Sequence, residues 1–232
     1  MSLRLHRAAL AALLLAAGCA ELFRIEAPVS PPAEFPETFY QEALKAGKPV
    51  YRVDPRESLV VIEVRRGGSL ARLGHDHVVA SHDATGYVAP GEGRADIYVA
   101  LARLVVDEPE LRKQAGFDTQ PTESDIEGTR SNMLAKVLEA EQFPFALIAV
   151  KDADPKQKNT TLAVAITLHG QMRTFKVPAE VEADDKTIAV SGKLAFNQTD
   201  FGITPYALLG GAIAVKNGLE LRFRIRAKRM PG

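Results

Sequence analysis

Tryptophan is absent from these 232 residues, and there is a single cysteine, Cys19. One cysteine excludes an intrachain disulfide and any cysteine-built metal cage. Neither sign of charge is in excess, with 29 Lys and Arg against 29 Asp and Glu. With no basic cluster interleaved with aromatics, nothing points to nucleic acid as a partner. The chain has no Gly-x-Ser-x-Gly elbow, no His-Glu-x-x-His helix, no Gly-x-Gly-x-x-Gly and no P-loop. Those absences weigh against an enzyme. No internal repeat is visible, and the longest apolar run, Ala8 to Ala17, is too short to span a bilayer.

That run has the layout of a targeting segment. Arg4, His6 and Arg7 precede it, and Ala16-Ala17-Gly18-Cys19 closes it. The closing residues resemble the lipobox of bacterial lipoproteins, with Leu15 one step earlier than usual. The resemblance implies a signal peptide over 1–18 and an acylated Cys19, whose lipid chains would attach the protein stably to a membrane. Ala20 is not the Asp that retains many such proteins at the inner membrane, so the periplasmic side of the outer membrane is expected. Residues 19–49 then read as the acylated cysteine and a tether, with Pro28, Pro31, Pro32 and Pro36 keeping it extended. A short helix is expected at 37–46, and the folded domain over 50–230.

From Tyr51 the dominant period is two. Val60, Ile62 and Val64 alternate with Val61, Glu63 and Arg65, and Ile97, Val99 and Leu101 repeat the pattern. Leu162, Val164, Ile166 and Leu168 do so again, followed by Phe175, Val177 and Val181. The last strand sets Leu219, Leu221, Phe223, Ile225 and Ala227 on one face, with Glu220, Arg222, Arg224 and Arg226 on the other. Such alternation marks half-buried strands. Gly67-Gly68 predicts a hairpin turn into a strand over 70–80. Asn217-Gly218 predicts another, joining Ala212–Val215 to the last strand. Residues 107–143 break the pattern. Helices are expected at 109–115 and 123–141, the second as a lid whose apolar stripe is Ile126, Met133, Leu134, Val137 and Leu138. Eight to ten short strands with tight turns predict an antiparallel barrel or sandwich.

Several stretches resemble the YceI family of bacterial polyisoprenoid-binding, lipocalin-like proteins. They are Tyr51-Arg52-Val53-Asp54-Pro55 with Ser58, Asn132-Met133-Leu134 through Phe143-Pro144, Leu168-His169-Gly170, and Phe196-Asn197-Gln198-Thr199-Asp200-Phe201-Gly202-Ile203. The resemblance implies a mainly β fold: an antiparallel barrel of about eight strands with a helical insertion, its interior holding an isoprenoid or fatty-acyl chain. The ligand would be an amphiphilic lipid, with no cofactor and no catalysis. The barrel-interior residues expected to contact it are Val60, Ile62, Val64, Ile97, Val99, Leu101, Leu162, Val164, Ile166, Leu168, Phe175, Leu221 and Phe223.

Gly74-His75-Asp76-His77 departs from that family's pattern. Two histidines two apart on a strand share a face. They are candidates for contact with a lipid head group, or for a metal site if His82 or His169 supplied a third ligand. His169 otherwise reads as a turn residue, Asp200 as a turn carboxylate bonding backbone, and Arg222, Arg224 and Arg226 as a solvated face. Three functions therefore stand: a lipid-binding envelope protein, a metal-binding protein or metalloenzyme centred on His75 and His77, and a structural lipoprotein whose barrel its own side chains fill.

Overall fold

The computed structural model describes residues 25–28, 30–151 and 157–231. Cys19 and the expected signal peptide lie outside them. Helix α1 (Glu37–Lys45) is followed by β1 (Tyr51–Val53), β2 (Leu59–Val64), β3 (Arg66–Gly67), β4 (His77–Ser81), β5 (Thr85–Ala89), β6 (Arg94–Ala100) and β7 (Val105–Val106). Helices α2 (Pro109–Gln114) and α3 (Glu123–Asn132) come next. Then follow β8 (Phe145–Lys151), β9 (Asn159–Leu168), β10 (Gln171–Ala183), β11 (Thr187–Asn197), β12 (Ala207–Leu208), β13 (Ile213–Val215) and β14 (Gly218–Arg229).

The ring runs β1-β5-β6-β8-β9-β10-β11-β14 and closes by pairing β14 with β1, all antiparallel. It is an eight-stranded barrel. Three of its staves are broken, so β2, β4 and β7 continue β1, β5 and β6 toward one end. The break between β1 and β2 has a local cause. Pro55 has no amide to donate, and the Asp54 carboxylate accepts the Arg56 amide in a short turn. Ser58 then repairs the ladder: its hydroxyl donates to Asp54 O at 2.8 Å and accepts the Arg226 amide at 3.0 Å.

Two hairpin expectations are corrected. β13 does not pair with β14; it pairs with β12 and β3 in a small separate sheet. Asn217 forms no tight turn because its side chain is engaged elsewhere, accepting the Thr199 amide and donating to the Thr199 hydroxyl. Gly67 belongs to β3, and residues 71–73 form a single helical turn, so the next strand begins only at His77.

The barrel ends differ. At the end where β2, β6 and β9 finish, α3 lies across the opening as a lid, beside the sheet of β3, β12 and β13. Thr122 and Asp125 cap α3 reciprocally. The helix is shorter than the apolar stripe suggested: a π-type turn, Met133–Val137, follows it, and Glu139 in the left-handed region (φ 45°) ends it. Leu134 is 2% exposed and anchors the lid among Leu101, Leu104 and Ala140. At the opposite end α1 buries Tyr40 against Tyr87, ring centroids 5.2 Å apart. The Tyr40 hydroxyl donates to Asp96 at 2.6 Å. Burial, reinforced by that carboxylate, pushes the phenol far above its ordinary range.

Candidate functional site: the barrel interior

The inward faces enclose a cavity of about 440 Å³, within the range of roughly 300–1,000 Å³ usual for ligand pockets. Period two builds it. On β14 the wall residues are Leu219, Leu221, Phe223 and Ile225, and the intervening Arg222, Arg224 and Arg226 face outward to Gln114, Glu182 and Glu57. On β9 they are Leu162, Val164, Ile166 and Leu168. Gly192, opposite Phe223 across the β11–β14 ladder, leaves room for that ring: a Cβ there would lie 2.9 Å from it.

Twelve of the thirteen expected interior residues line this cavity: Val60, Ile62, Val64, Ile97, Val99, Leu101, Leu162, Val164, Ile166, Leu168, Leu221 and Phe223. Phe175 does not. It shares a face with its register partner Val164, but packs on Phe196 and Phe201 with ring centroids 6.3 and 6.1 Å away, short of the wall. The side chains of the described residues leave this space unfilled.

Charged lining groups are confined to the ends. Arg66, His75 and His77 border the cavity at the lid end, with Thr129 and Asn132 of α3; Arg94 borders it at the other. Between them the wall is aliphatic and aromatic apart from Ser81, which lies midway along the barrel opposite Val60. An ionised group buried there would lack a partner, so the interior favours hydrocarbon.

Sequence reasoning singled out the two histidines but missed what holds them. His77 Nδ1 lies 2.6 Å from Asp107 Oδ2. Asp107 is 3% exposed, and also accepts the Val78 amide and the Arg112 guanidinium. Burial alone would raise the Asp107 carboxyl; the bonds from His77, Val78 and Arg112 outweigh it and leave the group below its ordinary value. An ionised carboxylate only accepts, so Nδ1 carries the hydrogen and Nε2 is the nitrogen free to meet a ligand. Asp107 itself sits at φ 60°, in the left-handed region that non-glycine residues seldom occupy. No sequence pattern could have found it, since Asp107 lies 30 residues from His77.

His75 stands in the turn before β4 rather than on the strand, its ring centroid 6.1 Å from that of His77. Asp76 points away and accepts the Arg66 amide. The residues considered as a third metal ligand are committed elsewhere. His82 pairs with Glu108 at 2.8 Å on the surface, and His169 occupies the β9–β10 turn at φ 50°, packed on Phe143. Among the described residues no three His, Cys, Asp or Glu gather as a metal cage. Asp200 accepts the Asn197 amide within its turn.

Comparison with known proteins bears on this architecture. No curated protein matches the chain in sequence. Among solved structures it is similar to a polyisoprenoid binding domain from Saccharophagus degradans implicated in plant cell wall breakdown, with a TM-score of 0.56 and 12% identity over 78% of this chain and 99% of that one. It is also similar to Burkholderia cenocepacia BcnA, with a TM-score of 0.50 and 15% identity over 75% and 98%. At those identities the likeness concerns the fold. The family model described as the YceI-like domain matches residues 51–227, from the first strand of the barrel nearly to the end of its last, and the chain belongs to that family.

Proposed function

We propose that this protein is a non-catalytic lipid-binding protein of the bacterial envelope, holding the isoprenoid or fatty-acyl chain of an amphiphile inside its barrel. One observation carries the reading: an apolar cavity of about 440 Å³ runs between two ends that alone carry charged lining groups. Each buried methylene contributes about 0.8 kcal/mol, so a tail of about fifteen gains roughly 12 kcal/mol before the cost of association. Such a ligand needs few polar contacts. The polyisoprenoid-binding activity named for the S. degradans relative supports the same class of ligand.

His75 and His77 meet the polar end of the lipid. The Asp107 contact fixes the His77 ring so that Nε2 accepts from a hydroxyl when neutral and donates to an oxygen when charged. Acylation of Cys19, which the lipobox resemblance implies, would anchor the barrel on the periplasmic side of the outer membrane.

Native mass spectrometry of the purified chain tests the reading. The expected spectrum carries an additional mass that organic extraction releases as an isoprenoid or acyl lipid. A chain that emerges empty from a lipid-rich bacterial host, and takes up no such lipid when it is offered, contradicts the proposal.

A further inference from the structure

Soluble folds hide large aliphatic side chains, yet Leu73, Leu208 and Leu209 are 61%, 48% and 73% exposed. They sit together at the lid end. The turn carrying Leu73 packs on β13, with the Leu70 amide donating to Ala212 O at 2.7 Å; Leu208 ends β12 of the same small sheet and Leu209 opens the helical turn that follows. Leu209 is held at φ 50°, a conformation a leucine adopts only at a cost, between Leu208 and the Gly210-Gly211 pair. Leu208 is both exposed and among the residues lining the cavity, so the cavity reaches the outside at this point.

Cations flank the leucines. Arg72 precedes Leu73, Lys216 follows β13, and the Lys136 ammonium lies 5.9 Å from the ring of Tyr206, just before β12. All three are exposed, and none forms an ion pair among the described residues. Apolar groups that can enter the acyl boundary, flanked by exposed cations, form the pattern by which proteins lie on anionic bilayers; the exposed carboxylates at this end, Glu123, Asp125 and Glu127, are carried by α3.

We propose that the leucine rim of the lid end is a docking surface for an anionic lipid bilayer, against which the cavity opens. Its purpose, direct exchange of a lipid between bilayer and barrel, rests on the function proposed above; the docking itself does not.

The absence of tryptophan makes the test clean. Leu209→Trp in the full chain places one reporter on the rim, and Asp185→Trp places one at the opposite end of the barrel. Each is mixed with vesicles of phosphatidylcholine and phosphatidylglycerol carrying brominated acyl chains. The expected result is a blue shift and strong quenching for Leu209→Trp, little of either for Asp185→Trp, and loss of the rim signal when Leu73→Asp and Leu208→Asp are added. Near-ultraviolet circular dichroism checks that each variant is folded, and Leu73→Trp serves as a second rim reporter. Equal quenching at both ends, or none at either rim position, overturns the proposal. Uptake of detergent-dispersed lipid, measured separately, tells its failure from failure of the lipid-binding reading: a barrel that binds lipid with an unquenched rim refutes the docking alone.

Discussion

Filling the cavity should weaken lipid binding without unfolding the protein. Ile148 and Ile166 are register partners on β8 and β9, and both line the cavity. Replacing both by Phe adds bulk to the lumen and no charge. If the two rings displace about three methylenes of a bound tail, the loss is about 2.4 kcal/mol at roughly 0.8 kcal/mol each, or about sixtyfold in Kd. The cost to the fold is smaller than in a dense core, because the added carbons enter open space rather than displacing neighbours. The assay is titration of the delipidated variant with a fluorescent long-chain lipid, beside urea unfolding. Arg224→Phe, on the outward face of β14, is the control and should bind as the parent does. A double variant that stays folded and binds the tail with unchanged affinity would refute the claim that the tail lies in the lumen.

Other predictions concern what keeps the cavity in shape. Asp107→Asn leaves the buried Arg112 without its carboxylate and should cost about 3–5 kcal/mol in urea unfolding. Because the folded Asp107 lies below its ordinary 3.8, its contribution is complete above that pH and is lost as pH falls through the depressed folded value. Acid titration of stability should therefore be steeper for the parent than for Asp107→Asn. Tyr40→Phe removes the donor to Asp96, which keeps Arg94 as a partner, and should lower stability by about 1 kcal/mol. Leu134→Ala opens a hole under the lid and should cost about 2–5 kcal/mol, measured by thermal or urea unfolding.

The barrel was legible because period two leaves little freedom. Leu162 to Leu168 and Leu219 to Ile225 each commit a whole face, and a slip of one residue would turn that face to solvent. The turns were less legible. Asn217-Gly218 has the composition of a tight hairpin, yet the Asn217 amide is used to hold Thr199, and the preceding segment joins a different sheet. Gly67-Gly68 misled in the same way, since the chain beyond it winds into a helical turn instead of a strand. In both cases a long-range partner overrode a local preference.

The site divides along the same line. The apolar wall followed from alternation, because facing inward is a property of a strand. Phe175 was misplaced because alternation gives a face and not a depth; Phe196 and Phe201 reach the lumen in front of it. The setting of His77 needed a contact between β4 and the residue after β7, which only the folded chain brings together.

The most direct test of the central claim is to locate a bound tail covalently. A long-chain lipid carrying a diazirine near its terminal carbon, loaded into the folded chain and irradiated, should mark peptides of β9, β11 and β14 at the inward positions Val164, Val190 and Phe223. Adducts confined to the outer surface, at Arg222 and Arg224 or on α1, would contradict the account.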